Sequence, residues 1–313
     1  MSFRLLIALS GLALLACSAA QAQRPACYET TSRMRLSCSM EVGEEFHEGF
    51  AICANLSDDD EALDCRDEVH ADRRDGYDQC FAQAVARNDV CAALDSLGPY
   101  DPVLEEVDFL SPEEAAANPN PYFPLIPGSF WVYQAEDETI TVMVTGETRE
   151  IDGVEATIVN DVVTEEGEVI EDTDDYFAQD ADGNIWYLGE IARNYEDGYL
   201  TDLDGSFVAG EDGAKAGILV FTNPVVGTTY RQEFLLGEAE DIGTVLSVSG
   251  TESAEAAACD GQCLVVRDTT PLEPDADESK YYAPGVGLIL EIDNESGERV
   301  ELVDFEIGSA DAR

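Results

Sequence analysis

Between Glu171 and Asn184 the chain sets six acids and one asparagine into fourteen positions: Glu171, Asp172, Asp174, Asp175, Asp180, Asp182 and Asn184. Calcium takes about six to eight oxygen ligands, and Asp, Asn and the carbonyls of a tight turn supply them. Asp172, Asp174, Asp175, Asp180, Asp182 and Asn184 are therefore a candidate calcium site. An EF-hand register fails, because Gly183 in the sixth place puts Ala178 first and Gly189 twelfth, where carboxylates are needed. The competing reading is a hairpin turn over 180–184, which favours the same residue types for backbone reasons.

Other chemistry is scarce. The chain has two histidines, His47 and His70, and neither falls in the acidic second part, so a serine or cysteine nucleophile there lacks its usual base. No Gly-x-Ser-x-Gly elbow occurs. Lys215 and Lys280 are the two lysines, and an active-site lysine is conceivable at either, although no spacing supports it. Trp131, Trp186, Tyr187, Tyr281 and Tyr282 could line a pocket inside a curved sheet, or pair across strands as core. Paired carboxylates of glycosidase type stay open among 67 acids, whose abundance makes any single pair uninformative.

The cysteines say more about architecture. Residues 1–22 read as an export signal with an apolar run and Ala20-Gln21-Ala22 as its cleavage site, while Leu14-Leu15-Ala16-Cys17 also fits a lipobox that would lipidate Cys17. Either way eight of the nine cysteines remain, and an even number in an exported chain favours disulfides. Cys27, Cys38, Cys53, Cys65, Cys80 and Cys91 are separated by 11, 15, 12, 15 and 11 residues, a palindrome. At about 100° per residue, steps of 11 and 15 return to nearly the same helix face. Two helices folded back around 54–64 would place Cys53 opposite Cys65, Cys38 opposite Cys80 and Cys27 opposite Cys91. Spacing does not by itself choose among the pairings of six cysteines, and chance symmetry in a looser helical module is the competing reading. Val42, Phe46, Phe50, Tyr77, Phe81, Ala84 and Val85 are expected to fill the seam. Cys259 and Cys263 read as a disulfide closing a short loop, with a redox or copper-binding CxxxC as the alternative.

Seven of the twelve prolines lie between Pro99 and Pro127 and mark a linker or a chain wrapping across a surface. Beyond them the apolar period changes to two. Runs such as Thr139–Val144, Glu155–Val163, Tyr230–Leu235 and Leu288–Ile292 alternate with turn dipeptides such as Asp152-Gly153 and Glu166-Gly167. About ten to twelve strands without intervening helices predict one antiparallel meander, and a sheet that large must curl.

Several phrases carry a resemblance: Asn120 to Leu125 (NPYFPL), Asn160-Asp161-Val162-Val163, Tyr176 to Glu190 (YFAQDADGNIWYLGE), Tyr230 to Glu233 (YRQE), Gly237 to Asp241 (GEAED) and Lys280 to Gly287 (KYYAPGVG). Together they resemble a widespread family of exported bacterial proteins with a cysteine-bearing helical segment ahead of a β-rich part. That resemblance implies export and architecture and no activity. The Ala-Pro-Gly-Val-Gly turn is also similar to curved-sheet lipoproteins that hold apolar ligands.

A formal net charge of -51 repels phosphate backbones, so no nucleic-acid partner is expected, and no run beyond the signal is long and apolar enough for a membrane span. Fifty of the 67 acids follow residue 100. The expected fold is α+β: a disulfide-crosslinked antiparallel α-helical hairpin (23–97), a Pro-rich linker (98–128), an acidic antiparallel β meander forming a barrel or curved half-barrel (129–308), and a tail (309–313). The expected function is an exported, periplasmic or secreted, non-enzymatic binding or structural module, calcium being its one candidate cofactor. A carrier of a lipid or other apolar ligand in the curved sheet is the alternative, and a carboxylate hydrolase the third reading.

Overall fold

The computed structural model describes residues 25–309; the export signal, its cleavage site and Cys17 lie outside the described residues. The fold is α+β, with two long helices followed by a large antiparallel sheet that forms a nearly closed barrel. No helix among the described residues is long and apolar enough to cross a membrane.

Helices α1 (Ala26–Ala54) and α2 (Asp59–Ala93) form the hairpin, and Asp58 caps α2 by accepting from the backbone N–H groups of Asp60 and Glu61. Cys27 is bonded to Cys91, Cys38 to Cys80 and Cys53 to Cys65, with Cα–Cα distances of 5.8, 5.7 and 5.6 Å. The seam is thinner than the apolar pattern suggests. Phe81 and Val85 are exposed (54% and 43%), and Phe46 and Phe50 are half-buried beside His70 and Arg73. The helices approach too closely to admit these side chains: a Cβ on Gly49 would lie 2.8 Å from Val69 Cγ2. Crosslinks therefore do what a core would do in a thicker bundle.

The hairpin is fixed to the barrel by a buried ion pair. Arg87 of α2 donates from Nη2 to Glu240 Oε1 at 2.6 Å and from Nε to Oε2 at 2.9 Å, and both residues are buried. Removing one partner from such a pair leaves an uncompensated buried charge and costs about 3–5 kcal/mol. Gln83 adds a bond to the Leu272 carbonyl.

The proline-rich stretch packs along the barrel. Its short helix α3 (Pro112–Ala117) starts in a capping box made by Ser111 and Glu114. Leu104 and Phe109 cover Ala156, Tyr176, Ala178 and Leu188 on the outer face of the sheet, a second core outside the barrel.

Fifteen strands build the sheet among the described residues. The first five are long: β1 (Phe130–Ala135), β2 (Glu138–Ile151), β3 (Val154–Glu165), β4 (Glu168–Gln179) and β5 (Ile185–Glu196). Three pair with β5, namely β6 (Tyr199–Asp202), β7 (Phe207–Val208) and β8 (Lys215–Val220), and β9 (Thr229–Arg231) pairs with β11 at the other end of the order. The remainder are β10 (Glu233–Phe234), β11 (Ile242–Gly250), β12 (Cys263–Thr269), β13 (Asp277–Ala283), β14 (Gly287–Asp293) and β15 (Arg299–Glu306). The order is β10-β8-β5-β4-β3-β2-β1-β15-β14-β13-β12-β11-β9. Both ends of that order belong to one stretch of chain, since β9 and β10 are separated by Gln232 alone. Residues 229–231 pair with β11 and 233–234 with β8, so a single segment carries the sheet from one edge to the other. Closure removes the exposed edges that so large an open sheet would present.

The count exceeds the expected ten to twelve. Acid-rich β4 and β15 read poorly as strands by propensity, and pairing on both sides overrides that preference.

Candidate functional site

A cavity of about 310 Å³ occupies the barrel interior. Its wall divides by strand. β1, β2 and β15 supply an apolar arc of Trp131, Tyr133, Ile140, Val142 and Val300. To one side β3, β4 and β5 supply Asp161, Asp175 and Glu190 with Phe177 and Tyr187. To the other, β12, β13 and β14 supply Asp268, Lys280, Tyr282 and Glu291, while Glu233 and Asp241 complete the ring near the seam. Seven carboxyl groups thus face one ammonium among the described residues that line it.

The β12–β14 arc has a cation of its own. Lys280 Nζ lies 3.0 Å from Asp268 Oδ2 and 3.5 Å from Glu291 Oε2. Burial alone would lower Lys280, but the carboxylates of Glu291 and Asp268 outweigh it and hold the ammonium well above the ordinary lysine value. Burial also pushes Glu278, next to this group on β13, up to about 7, with repulsion from Glu291 added.

Among the described residues that line the cavity, the β3–β5 arc has no cation of its own. Burial, reinforced by Glu171 and Glu190, pushes Asp161 up to about 7. Asp175 rises to about 7 and Glu190 to about 8, again chiefly by burial. The Tyr187 hydroxyl is within hydrogen-bond reach of Asp175 and lies 2.7 Å from Glu190 Oε2. A phenol has one proton, so it donates to one carboxyl and accepts from the other, which must then be protonated. Asp161 Oδ1 is sealed from solvent and accepts no hydrogen bond. A buried acceptor left unpaired costs about 1–3 kcal/mol.

A bulge aims Glu190. In the β4–β5 register Tyr176 faces Gly189 and Phe177 faces Tyr187, so Leu188 is the extra residue and Tyr187 and Glu190 both line the interior. Gly189 makes this possible: its φ is +143°, and a Cβ there would lie 2.3 Å from the Phe207 carbonyl oxygen.

The six candidate calcium ligands are divided among three places. Asp172 and Asp174 lie together with Asn160 and Arg193, whose Nη2 donates to Asp174 at 2.7 Å. Asp175 is inside the barrel. Asp180 and Asn184 belong to the β4–β5 turn, where both Asp180 oxygens are taken: Oδ1 by the Asn184 backbone N–H, Oδ2 by Asn184 Nδ2 and Trp186 Nε1. Asp182 is exposed in the same turn. Among the described residues no group of three His, Cys, Asp or Glu side chains has the arrangement to hold a metal ion.

Of the five aromatics read as pocket candidates, Trp131, Tyr187 and Tyr282 line the cavity. Trp186 instead packs edge-on against Phe109 on the outer face. Lys215 pairs with Asp101 away from the interior, and His47 and His70 are exposed on the hairpin. Cys259 and Cys263 are bonded across their loop.

The phrases that carried the resemblance are joints. Buried Asn120 accepts from the backbone of Tyr122 and Phe123 and donates to the Gly183 carbonyl and Thr222. Gly285 N–H donates to the Pro121 carbonyl, and Trp131 Nε1 to the Val286 carbonyl. Glu240 of the GEAED phrase holds the hairpin.

A second cavity, of about 350 Å³, lies between the hairpin base and the seam, against Tyr100, Arg231 and Phe234. It has one orphaned donor, Arg231 Nε, whereas polar groups from seven strands and loops converge in the barrel. Convergence of polar groups on an apolar wall favours the barrel as the site.

No family model matches the chain, and no curated protein is found similar to it. Among solved structures, one described as "a putative lipoprotein from Parabacteroides distasonis ATCC 8503" aligns over 59% of this chain and 97% of that one, at 14% identity and a TM-score of 0.31. A likeness at that level assigns neither fold nor function.

Proposed function

We propose that the chain is an exported binding protein that holds a small ligand inside its barrel. The observation that carries this reading is the interior cavity of about 310 Å³ with its unsatisfied acceptor, Asp161 Oδ1. Cavities of this size, apolar on one side and set with a few polar groups on the other, are the usual form of a small-molecule site. Four disulfides support an oxidising destination, with Cys17 as a lipid anchor or cleavage after Ala22 as the two routes there. The hairpin then acts as a rigid, crosslinked appendage docked through Arg87 and Glu240.

Thermal melting against a library of cavity-sized molecules tests this, with Val142→Phe as the filler of the apolar arc. Ligands that raise the melting temperature of the wild type and lose that effect in the filled variant support the reading. Shifts that survive the filling, or no shifts at all, would sink it.

One observation favours a second reading. Asp175 and Glu190 both meet the Tyr187 hydroxyl within the cavity, one accepting its proton and the other protonated, a pairing that suits acid–base hydrolysis. Turnover of chromogenic glycosides or esters that Asp175→Asn abolishes would put a hydrolase in place of the binding protein.

A further inference from the structure

We infer that the ligand of the barrel is a protonated amine with a small apolar body, its ammonium against Asp161, Asp175 and Glu190 and its apolar part against the arc of β1, β2 and β15. This rests on the barrel being a binding site and names the chemistry of what it binds.

Three observations carry it. The first is the asymmetry of charge around the ring. Lys280 serves Asp268 and Glu291 on its own side, whereas Arg193, the base carried by β5, is spent on Asp174 and Asp172 rather than on the cavity. The second is a shortage of donors. Asp175 and Glu190 are served by the Tyr187 hydroxyl and by the bond between themselves, whereas among the described residues Asp161 Oδ1 meets no donor at all. An ammonium brings up to three N–H groups and a positive charge to that shortage. A quaternary cation would bring the charge without the donors and leave Asp161 unsatisfied.

The third is the wall beside it. Val142 on β2 is the register partner of Asp161 on β3, so apolar surface begins one strand away from the orphaned oxygen. Phe177 and Tyr187, which stack on each other, also line the cavity and add apolar aromatic surface beside the carboxyls. The volume is about twice that of a cavity that holds benzene, room for one ring and a short amine arm.

Protons are the competitor. Asp161 is faced by Glu171 and Asp175 on β4, Glu190 on β5 and Glu291 on β14, against the more distant Lys280 on β13. Without ligand this group relieves its repulsion by holding protons. An amine replaces those protons, which leave to solvent, so its affinity falls as the solution is acidified.

Calorimetric titration of the full chain with 2-phenylethylamine, 2-phenylethanol and phenylacetate tests the inference. The amine is expected to bind at least about tenfold more tightly than the alcohol near pH 8, with the gap closing near pH 5 as the carboxyls protonate. Asp161→Asn should cut amine affinity about tenfold and leave the alcohol unchanged; if that variant does not fold, Glu190→Gln gives the same comparison. Equal binding of amine and alcohol, or preference for phenylacetate, overturns the amine and leaves the binding cavity standing. No binding of any of the three at millimolar concentration overturns both.

Discussion

Asp174 and Asp175 are consecutive half-buried residues of one strand, yet they face opposite sides of the sheet. Asp174 is half-buried on the outer side of the sheet and takes a hydrogen bond of 2.7 Å from Arg193. Asp175 lines the barrel interior, meets the Tyr187 hydroxyl together with Glu190, and is pushed up to about 7 by burial. The contrast holds around the molecule. Donors hold three outer acids down: Asn194 does so for Asp202, Arg267 for Asp277, and the Ser296 backbone for Asp293. Inside, burial pushes Asp161, Glu190, Glu233 and Asp268 up. A net charge of -51 is thus two populations of acids, one that keeps the surface hydrated and one that keeps a cavity short of cations.

Lys280→Met should expose that difference most sharply. It strips Asp268 and Glu291 of their one ammonium and should cost about 3–5 kcal/mol in urea unfolding near neutral pH. The loss should shrink in acid, where the carboxyls are protonated. Arg193→Met, on the outer face, should cost at most about 1 kcal/mol. Equal costs for the two would erase the distinction between the populations.

The pH profile comes next in size. Interior acids with raised pKa values hold protons in the folded state that the unfolded chain has already released. The stability they contribute is full below the ordinary carboxylate range and is lost as pH rises through their folded values, about 7 for Asp161 and Asp175 and about 8 for Glu190. Unfolding free energy should therefore fall by about 2 kcal/mol or more between pH 4 and pH 8 in the absence of ligand. A protein governed by its outer acids would gain stability over the same range.

Asp175→Asn keeps an acceptor for Tyr187 and deletes a buried charge. It should stabilise the barrel by about 1 kcal/mol near pH 8 and have little effect near pH 4, whereas Asp174→Asn should destabilise by less than about 1 kcal/mol and in a salt-dependent way. The smallest effect is expected from calcium. With Asp180 saturated by Asn184 and Trp186, and Asp174 engaged by Arg193, millimolar calcium should not shift the melting temperature. A shift with calcium and none with magnesium would restore the turn as a metal site.

The hairpin was legible because a helix repeats its faces at a fixed angle, so mirrored cysteine spacing carries geometric information. The β meander was legible from its period of two and its turn dipeptides. The interior site was not. Asp161, Asp175, Glu190 and Lys280 come from four strands that meet only when the barrel closes. Glu190 in addition stands behind a bulge at Leu188 that breaks the alternation by which inward and outward positions are assigned. The residues from Asp172 to Asn184 are close in sequence and apart in space, because a strand sends neighbours to opposite faces. One signal was present in the sequence: with two lysines in the chain, Lys280 was a rare base in the KYYAPGVG phrase, and the other charged groups that line the cavity are acids.

Carbon-detected NMR titration of the side-chain carboxyls, without ligand, tests the two-population account most directly. The account predicts midpoints near 7 for Asp161 and Asp175 and near 8 for Glu190, with Asp202, Asp277 and Asp293 below the ordinary carboxylate value. Interior and outer acids titrating together in the ordinary carboxylate range would contradict it.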